Sequence, residues 1–255
     1  MSKLPTEHRF LDLSDYGRPI ARQIANALKD TNMTPIHVTL LFIVAGIIAI
    51  ACIINHQYWA AFFFLIVKSI LDAADGELAR VKETPSYTGR YLDSVADIIL
   101  NFFFLLSIWY VAEGSILFML MAFLGLQLQG TLYNYYYVIL RNKVNGDKTS
   151  RVFEHTTPIA MPGEQQRHVD TLFGAYYLLY GGFDKIIFWL DKKAPVGEHM
   201  PKLLMTAVSS FGLGFQLLVM GAMLCLGWAN YIIPFFISYT AFILVFIAIR
   251  RLVNR

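Results

Sequence analysis

The sequence predicts an all-α integral membrane protein, with six transmembrane helices preceded by an N-terminal amphipathic helix, in a single membrane domain over residues 1–255. Three observations predict it. The 255-residue chain is 56% hydrophobic and only 15% charged, and its mean hydropathy of +0.51 lies outside the soluble globular range. Apolar runs long enough to cross about 30 Å of hydrocarbon fall at 38–55, 58–78, 92–112, 115–140, 204–227 and 230–249. Lysine and arginine are distributed on one side of these runs.

The segment 10–31 comes first. Phe10, Leu11, Leu13, Ile20, Ile24 and Leu28 recur at helical spacing, with Arg18, Arg22 and Lys29 between them, which suits a helix lying on a membrane surface as an anchor. Pro35 ends it and Thr39 opens the first span. Residues 38–140 supply four spans and the candidate site, 141–203 a long polar and aromatic connection, and 204–250 the last two spans. In the connection, Asn145-Gly146 reads as a turn. The aromatic stretch Leu172–Tyr180 and Lys185–Leu190, interrupted by Gly181-Gly182, reads as an interfacial helix or helical hairpin with Tyr and Trp at headgroup depth. Polar residues also fall inside the spans. Asn101, Gln127, Gln129, Thr131 and Asn134 either line a polar cavity or join helices by hydrogen bonds.

Charge placement predicts orientation. The short connections at 53–57, 111–115 and 227–230 contain no Lys or Arg, whereas basic residues gather in the N-terminal segment, near 68–90, in 141–203 and at Arg250, Arg251 and Arg255. The positive-inside rule puts both termini and the 72–97 segment in the cytoplasm. The net charge of +3, being one-sided, favours an anionic inner leaflet and gives no support to nucleic-acid binding. No cleavable signal peptide is expected in the polar first thirty residues. Cys52 and Cys225 fall within spans and read as packing residues.

Against this apolar background stand Asp72, Asp75, Asp93 and Asp97. An aspartate at the centre of a spanning helix costs roughly 2.5 to 3.5 kcal/mol, which makes such residues functional-site candidates. Asp72 and Asp75 are i, i+3 on one helix; Asp93 and Asp97 are i, i+4 on the next, so two facing helices gather all four. Their mutual repulsion calls for cations, and oxygen-only ligation with no His or Cys suits Mg²⁺, Mn²⁺ or Ca²⁺. Two such ions would balance the four charges. Acids inside a membrane also serve cation-coupled transporters, which would need no fixed glycines or arginine around them.

The spacing Asp-x2-Asp-Gly-x2-Ala-Arg-x8-Gly-x3-Asp-x3-Asp, formed by Asp72, Asp75, Gly76, Ala79, Arg80, Gly89, Asp93 and Asp97, resembles the signature of the CDP-alcohol phosphotransferase family. The resemblance implies a six-helix membrane enzyme of phospholipid synthesis. It would move a substituted phosphate from a CDP-alcohol donor to an acceptor alcohol, with release of CMP and with membrane lipids and a second copy of the chain as further partners. It implies two divalent cations, Mg²⁺ or Mn²⁺, held by Asp72, Asp75, Asp93 and Asp97, with Asp97 also the general base. Gly76, Ala79, Arg80 and Gly89 would surround the CDP moiety: small residues remove bulk beside the nucleotide, and Arg80 can grip phosphate with two donors. The family often carries Pro-Asn-x-x-Thr ahead of the first span. This chain has Pro35-Ile36-His37-Val38-Thr39, so a contact made by the Asn is lost or passes to His37, itself readable as a capping residue.

Two substrate groups stay open. CDP-diacylglycerol could give a phosphatidyl group to glycerol phosphate, inositol phosphate or serine, the more general case. CDP-choline or CDP-ethanolamine could instead give a headgroup to a lipid alcohol, which the N-terminal segment and the long connection fit. Arg141, Lys143, Lys148 and Arg151 could recognise an anionic acceptor or simply mark a cytoplasmic loop.

Overall fold

The computed structural model describes residues 4–144, 156–197 and 200–253. Among these residues all regular structure is helical. Ten α-helices follow one another: α1 Arg18–Leu28, α2 Pro35–Ile54, α3 Tyr58–Val81, α4 Tyr87–Ala112, α5 Ile116–Lys143, α6 Gln166–Leu190, α7 Lys202–Val208, α8 Leu213–Cys225, α9 Ala229–Tyr239 and α10 Phe242–Val253. The Asn145-Gly146 turn, Lys148, Arg151 and Arg255 lie outside the described residues.

Local sequence explains where the site-bearing helices begin. At α2, the Thr34 hydroxyl accepts the His37 N–H while the His37 ring accepts the Thr34 N–H, and Pro35 occupies the first turn. This reciprocal cap satisfies two amides that a helix start leaves orphaned. His37 is thus a capping residue. At α4, the Ser86 side chain accepts the Gly89 N–H at 2.8 Å. Between α3 and α4 the chain reverses through Glu83 at φ 56°, and α2 packs against both acidic helices.

Four helical stretches are long and apolar enough to cross a membrane: α2, α4, α5 and the consecutive α9–α10 run Ala229–Val253. The pair α7–α8, bent by 54° after Phe211, adds a fifth if it is one span. The protein therefore has the helices of an integral membrane protein, four or five by length and composition where the sequence suggested six. The difference is α3. At 24 residues and 1.5 Å per residue it is about 36 Å long, but Lys68, Asp72, Asp75, Glu77 and Arg80 make it too charged to qualify.

The bend before α8 has a packing cause. A Cβ on Gly212 would lie 2.3 Å from the Ser14 side chain, and one on Gly214 2.0 Å from the Ser14 carbonyl oxygen. The N-terminal segment crosses this point, so α8 can approach only with bare backbone. The segment 10–31 is correspondingly not one helix. Asp12 caps a single 3₁₀ turn at Leu13–Asp15, and α1 starts after Gly17, whose Cα touches Ile70 so closely that a Cβ would sit 2.8 Å from its side chain. The small Ala21 and Ala25 of α1 are fully buried with Ala74 and Leu78 of α3, while Ile20 is 50% exposed.

In the long connection, Gly181-Gly182 does not interrupt anything. α6 is one continuous helix, Gln166–Leu190, rather than a hairpin. Gly181 is buried beside the Tyr177 ring, and α6 packs along α4 and α5. The two larger cores hold the bundle. One includes Phe42, Leu65, Phe104, Leu217 and Ile232. The other, around Tyr136, Met205, Phe211 and Ile247, is closed by a buried Asp191 that pairs with Arg250 at 2.6 Å and accepts the Tyr136 hydroxyl at 2.7 Å. Cys52 and Cys225 are free and partly buried.

Candidate metal centre

Helical phase brings the acidic residues together at the end of α3 and the start of α4. One carboxylate oxygen from each of Asp72, Asp75 and Asp93 lies within 4.8 Å of the others. Asp75 is oriented by Thr39 of α2, whose hydroxyl donates to Asp75 Oδ2 at 2.7 Å in a buried bond. Asp93 Oδ1 is buried with no hydrogen-bond partner. A buried carboxylate oxygen left unmade costs on the order of 1–3 kcal/mol or more, so this orphan beside two further carboxylates is the feature a cation would satisfy. Three hard oxygen donors with no thiolate or imidazole fit a hard divalent ion.

Asp97 stands apart from this group of three. Its carboxylate is engaged by the ammonium of Lys68, which also donates to Asp72 Oδ2 at 2.7 Å. Lys68 has no exposed surface, and its Nζ lies 4.5 Å from the centre of the Phe42 ring. Sequence reasoning treated Lys68 only as a topological charge. The signal was present in the four-residue spacing from Lys68 to Asp72, which puts both on one helix face.

The remaining motif residues line the same cavity, of about 1010 Å³, together with Asp72, Asp75, Asp93 and Asp97. Gly76, Ala79, Arg80 and Gly89 all reach it. Arg80 is aimed by Glu77, a 2%-exposed carboxylate that meets Arg80 Nη2 at 3.1 Å and Arg18 of α1 at 2.7 Å. Arg80 Nε is buried without an acceptor. Gly89 has a local reason as well: a Cβ there would press on the capping Ser86 Oγ at 3.2 Å. Glu77 was not singled out from the sequence, since its role depends on α1 folding back over α3.

The polar residues inside the spans divide between the two roles open to them. Asn101, Gln127, Thr131 and Asn134 line the cavity, and Asn101 Oδ1, Gln127 Nε2 and Thr131 Oγ1 are buried without partners. Gln129 instead joins helices, donating to Phe236 O at 3.2 Å and Thr240 Oγ1 at 3.0 Å. The long connection also contributes. Tyr176, Tyr180 and Asp184 of α6 line the cavity, and the Tyr180 hydroxyl donates to the Ser94 carbonyl at 3.0 Å. Glu164, just before α6, accepts from the Ser86 hydroxyl and the Thr88 N–H, both at 2.7 Å, and from the Met161 N–H at 3.0 Å. Partial burial raises its pKa, but these bonds to the charged form outweigh that and hold it below the usual glutamate value.

Comparison with known proteins agrees with this geometry. Residues 32–162 match the model of a family described as CDP-alcohol phosphatidyltransferase, a stretch that contains all four aspartates. Proteins of Mycobacterium bovis and Mycobacterium tuberculosis named CDP-diacylglycerol–serine O-phosphatidyltransferase are 35% identical over 83 residues, 32% of this chain and 28% of theirs. One of the same name from Mycobacterium leprae is 34% identical over 82 residues, 26% of its length. The chain thus spans less than a third of the length of these relatives.

Proposed function

Because this chain belongs to the CDP-alcohol phosphatidyltransferase family, we propose that it transfers the substituted phosphate of a CDP-alcohol to an acceptor alcohol and releases CMP. The observation that carries this reading is the convergence of Asp72, Asp75 and Asp93 on the wall of a cavity shared with Arg80, Gly76 and Ala79. CDP-diacylglycerol is the favoured donor and a small soluble alcohol the acceptor. The relatives' names specify serine, and a lipid donor suits a site set among apolar helices.

A divalent ion, Mg²⁺ or Mn²⁺, held by Asp72, Asp75 and Asp93 would neutralise the pyrophosphate and polarise its phosphorus–oxygen bond. The chain's own residues do the rest. Arg80, fixed by Glu77, presents its unpaired Nε to a phosphate oxygen. Gly76 and Ala79 leave room along α3 for the ribose and base. The acceptor hydroxyl is held by the unpartnered Asn101, Gln127 and Thr131 and gives its proton to Asp97. Its oxygen bonds to the phosphorus as the bond to CMP breaks, and CMP leaves with that electron pair. An isolated aspartate with pKa about 3.9 is a poor base for an alcohol, so Asp97 depends on the hydroxyl being acidified as the new bond forms. Four carboxylates suggested two ions; the second position, between Asp72 and Asp97, is where Lys68 stands.

In the same reading the whole chain is one membrane domain with both termini and the site cytoplasmic, and α3 is the sixth span. Its charges are internally compensated: Lys68 by Asp72 and Asp97, Glu77 by Arg18 and Arg80. A homodimer is the assembly expected. The test is CMP release by purified protein in lipid nanodiscs, supplied with CDP-diacylglycerol or soluble CDP-alcohols and a panel of acceptors, with Mg²⁺ or Mn²⁺. CMP in at least one combination is expected, and none in any would turn the reading toward cation-coupled transport.

A further inference from the structure

We propose that Lys68 is a built-in second cation of this site, so that the chain takes one exchangeable divalent ion rather than two. The inference rests on the metal reading of Asp72, Asp75 and Asp93 above and concerns what completes it. A divalent ion bridging Asp72 and Asp97 would need the place now held by an ammonium that meets Asp72 Oδ2 at 2.7 Å and engages Asp97 as well. An ion between those same two oxygens would have to displace the ammonium, because both compete for the same lone pairs and the two cations would repel across them.

Displacement of the ammonium has nowhere to go. Lys68 lies one helical turn before Asp72, on the apolar side of the cluster, and is fully enclosed. The Phe42 ring stands 4.5 Å from Nζ, and Leu65, one turn further back on α3, is itself fully buried. A lysine moved away from Asp72 and Asp97 would leave its charge in hydrocarbon without a partner, an uncompensated buried charge of the most destabilising kind. The pair of ion pairs is therefore a fixed link between α3 and α4 rather than a latch.

The arrangement accounts for the split of the four aspartates. Three converge on one ion position, and the fourth is withheld from it by a cation of the chain's own. Lys68 is a positioning residue: it acts through Asp97, which it holds at the cavity wall, and through Asp72, whose Oδ2 it ties down. A fixed ammonium behind Asp72 and Asp97 supplies positive charge at the back of the cluster without the loss by dilution that a weakly held second ion would suffer.

The experiment counts Mn²⁺ bound to the full-length protein in nanodiscs at saturation, by elemental analysis and electron paramagnetic resonance. Wild type is expected to hold one ion per chain with the spectrum of an isolated Mn²⁺. Lys68→Met, which keeps the length of the side chain and removes its charge, should take up a second ion with the exchange coupling of a pair about 3.5–4 Å apart. Lys68→Met combined with Asp97→Asn should return to one. Two coupled ions in wild type overturn the inference while leaving the phosphotransfer reading intact, and so does a folded Lys68→Met protein that still holds one. Should Lys68→Met not fold, the wild-type count decides alone. No Mn²⁺ in wild type refutes the metal reading itself, and CMP release that fails for want of the right substrate leaves the count unaffected.

Discussion

Replacing Thr39 by valine removes one hydroxyl from a position outside the ligand set and leaves its volume nearly unchanged. In the native chain that hydroxyl donates to Asp75 Oδ2 at 2.7 Å, with Thr39 at 1% and Asp75 at 8% exposure. A buried hydrogen bond to a charged acceptor contributes about 1.5–3 kcal/mol, which at 1.4 kcal/mol per decade is roughly ten- to a hundredfold in an equilibrium constant. Loss of a hydrogen-bonding partner behind a metal ligand typically costs a similar 10–100-fold in metal affinity, because the ligand is no longer oriented. The expected result for Thr39→Val is therefore a rise of about ten- to a hundredfold in the Mn²⁺ dissociation constant measured by isothermal titration in nanodiscs. Folding should be intact, since α2 keeps its Thr34–His37 cap. An affinity equal to wild type in a folded Thr39→Val protein would refute the claim that Asp75 is a ligand held by α2.

Two further outcomes follow from other parts of the structure. Gly214→Ala drives a Cβ to 2.0 Å from the Ser14 carbonyl and should destabilise by about 1–3 kcal/mol through overpacking. Gly114→Ala meets nothing within 4 Å and should leave the melting temperature unchanged; equal melting curves for the two would count against the docking of the N-terminal segment on α8. Glu164 has a carboxyl held below its ordinary value of 4.5, so its contribution is fully present above that value and is lost as pH falls through the lower folded value. The protection factor of the Thr88 amide, whose N–H it accepts, corrected for intrinsic exchange, should fall as the pH drops below the folded value and should be lowered in Glu164→Gln at pH 6. A protection factor unchanged in Glu164→Gln would remove Glu164 as the cap of α4.

The acidic cluster was legible because its information is local. Asp72 and Asp75, and then Asp93, are placed by helical spacing on consecutive helices, and hydropathy marks where those helices run. The limits come from contacts made across long stretches of chain. Lys68 was visible four residues before Asp72, yet its second partner, Asp97, is on another helix and is reached only in the folded bundle. Gly181-Gly182 reads as a break in isolation, but α6 continues through it beside α4 and α5. The bend before α8 depends on Ser14, some two hundred residues earlier, and no periodicity in 204–227 announces it. The span count shows the same tension from the other side: the charges that make α3 the site-bearing helix also disqualify it by composition.

The central claim is metal-dependent cleavage of a CDP-alcohol at Asp72, Asp75 and Asp93. Its most direct test is CMP formation from CDP-diacylglycerol and an acceptor alcohol, with wild type and Asp93→Asn measured side by side, with Mn²⁺ and with chelator. Wild type should release CMP only with the ion, and Asp93→Asn should lose at least a hundredfold in rate while remaining folded. Equal CMP release by Asp93→Asn, or by wild type with the ion chelated, would contradict the account.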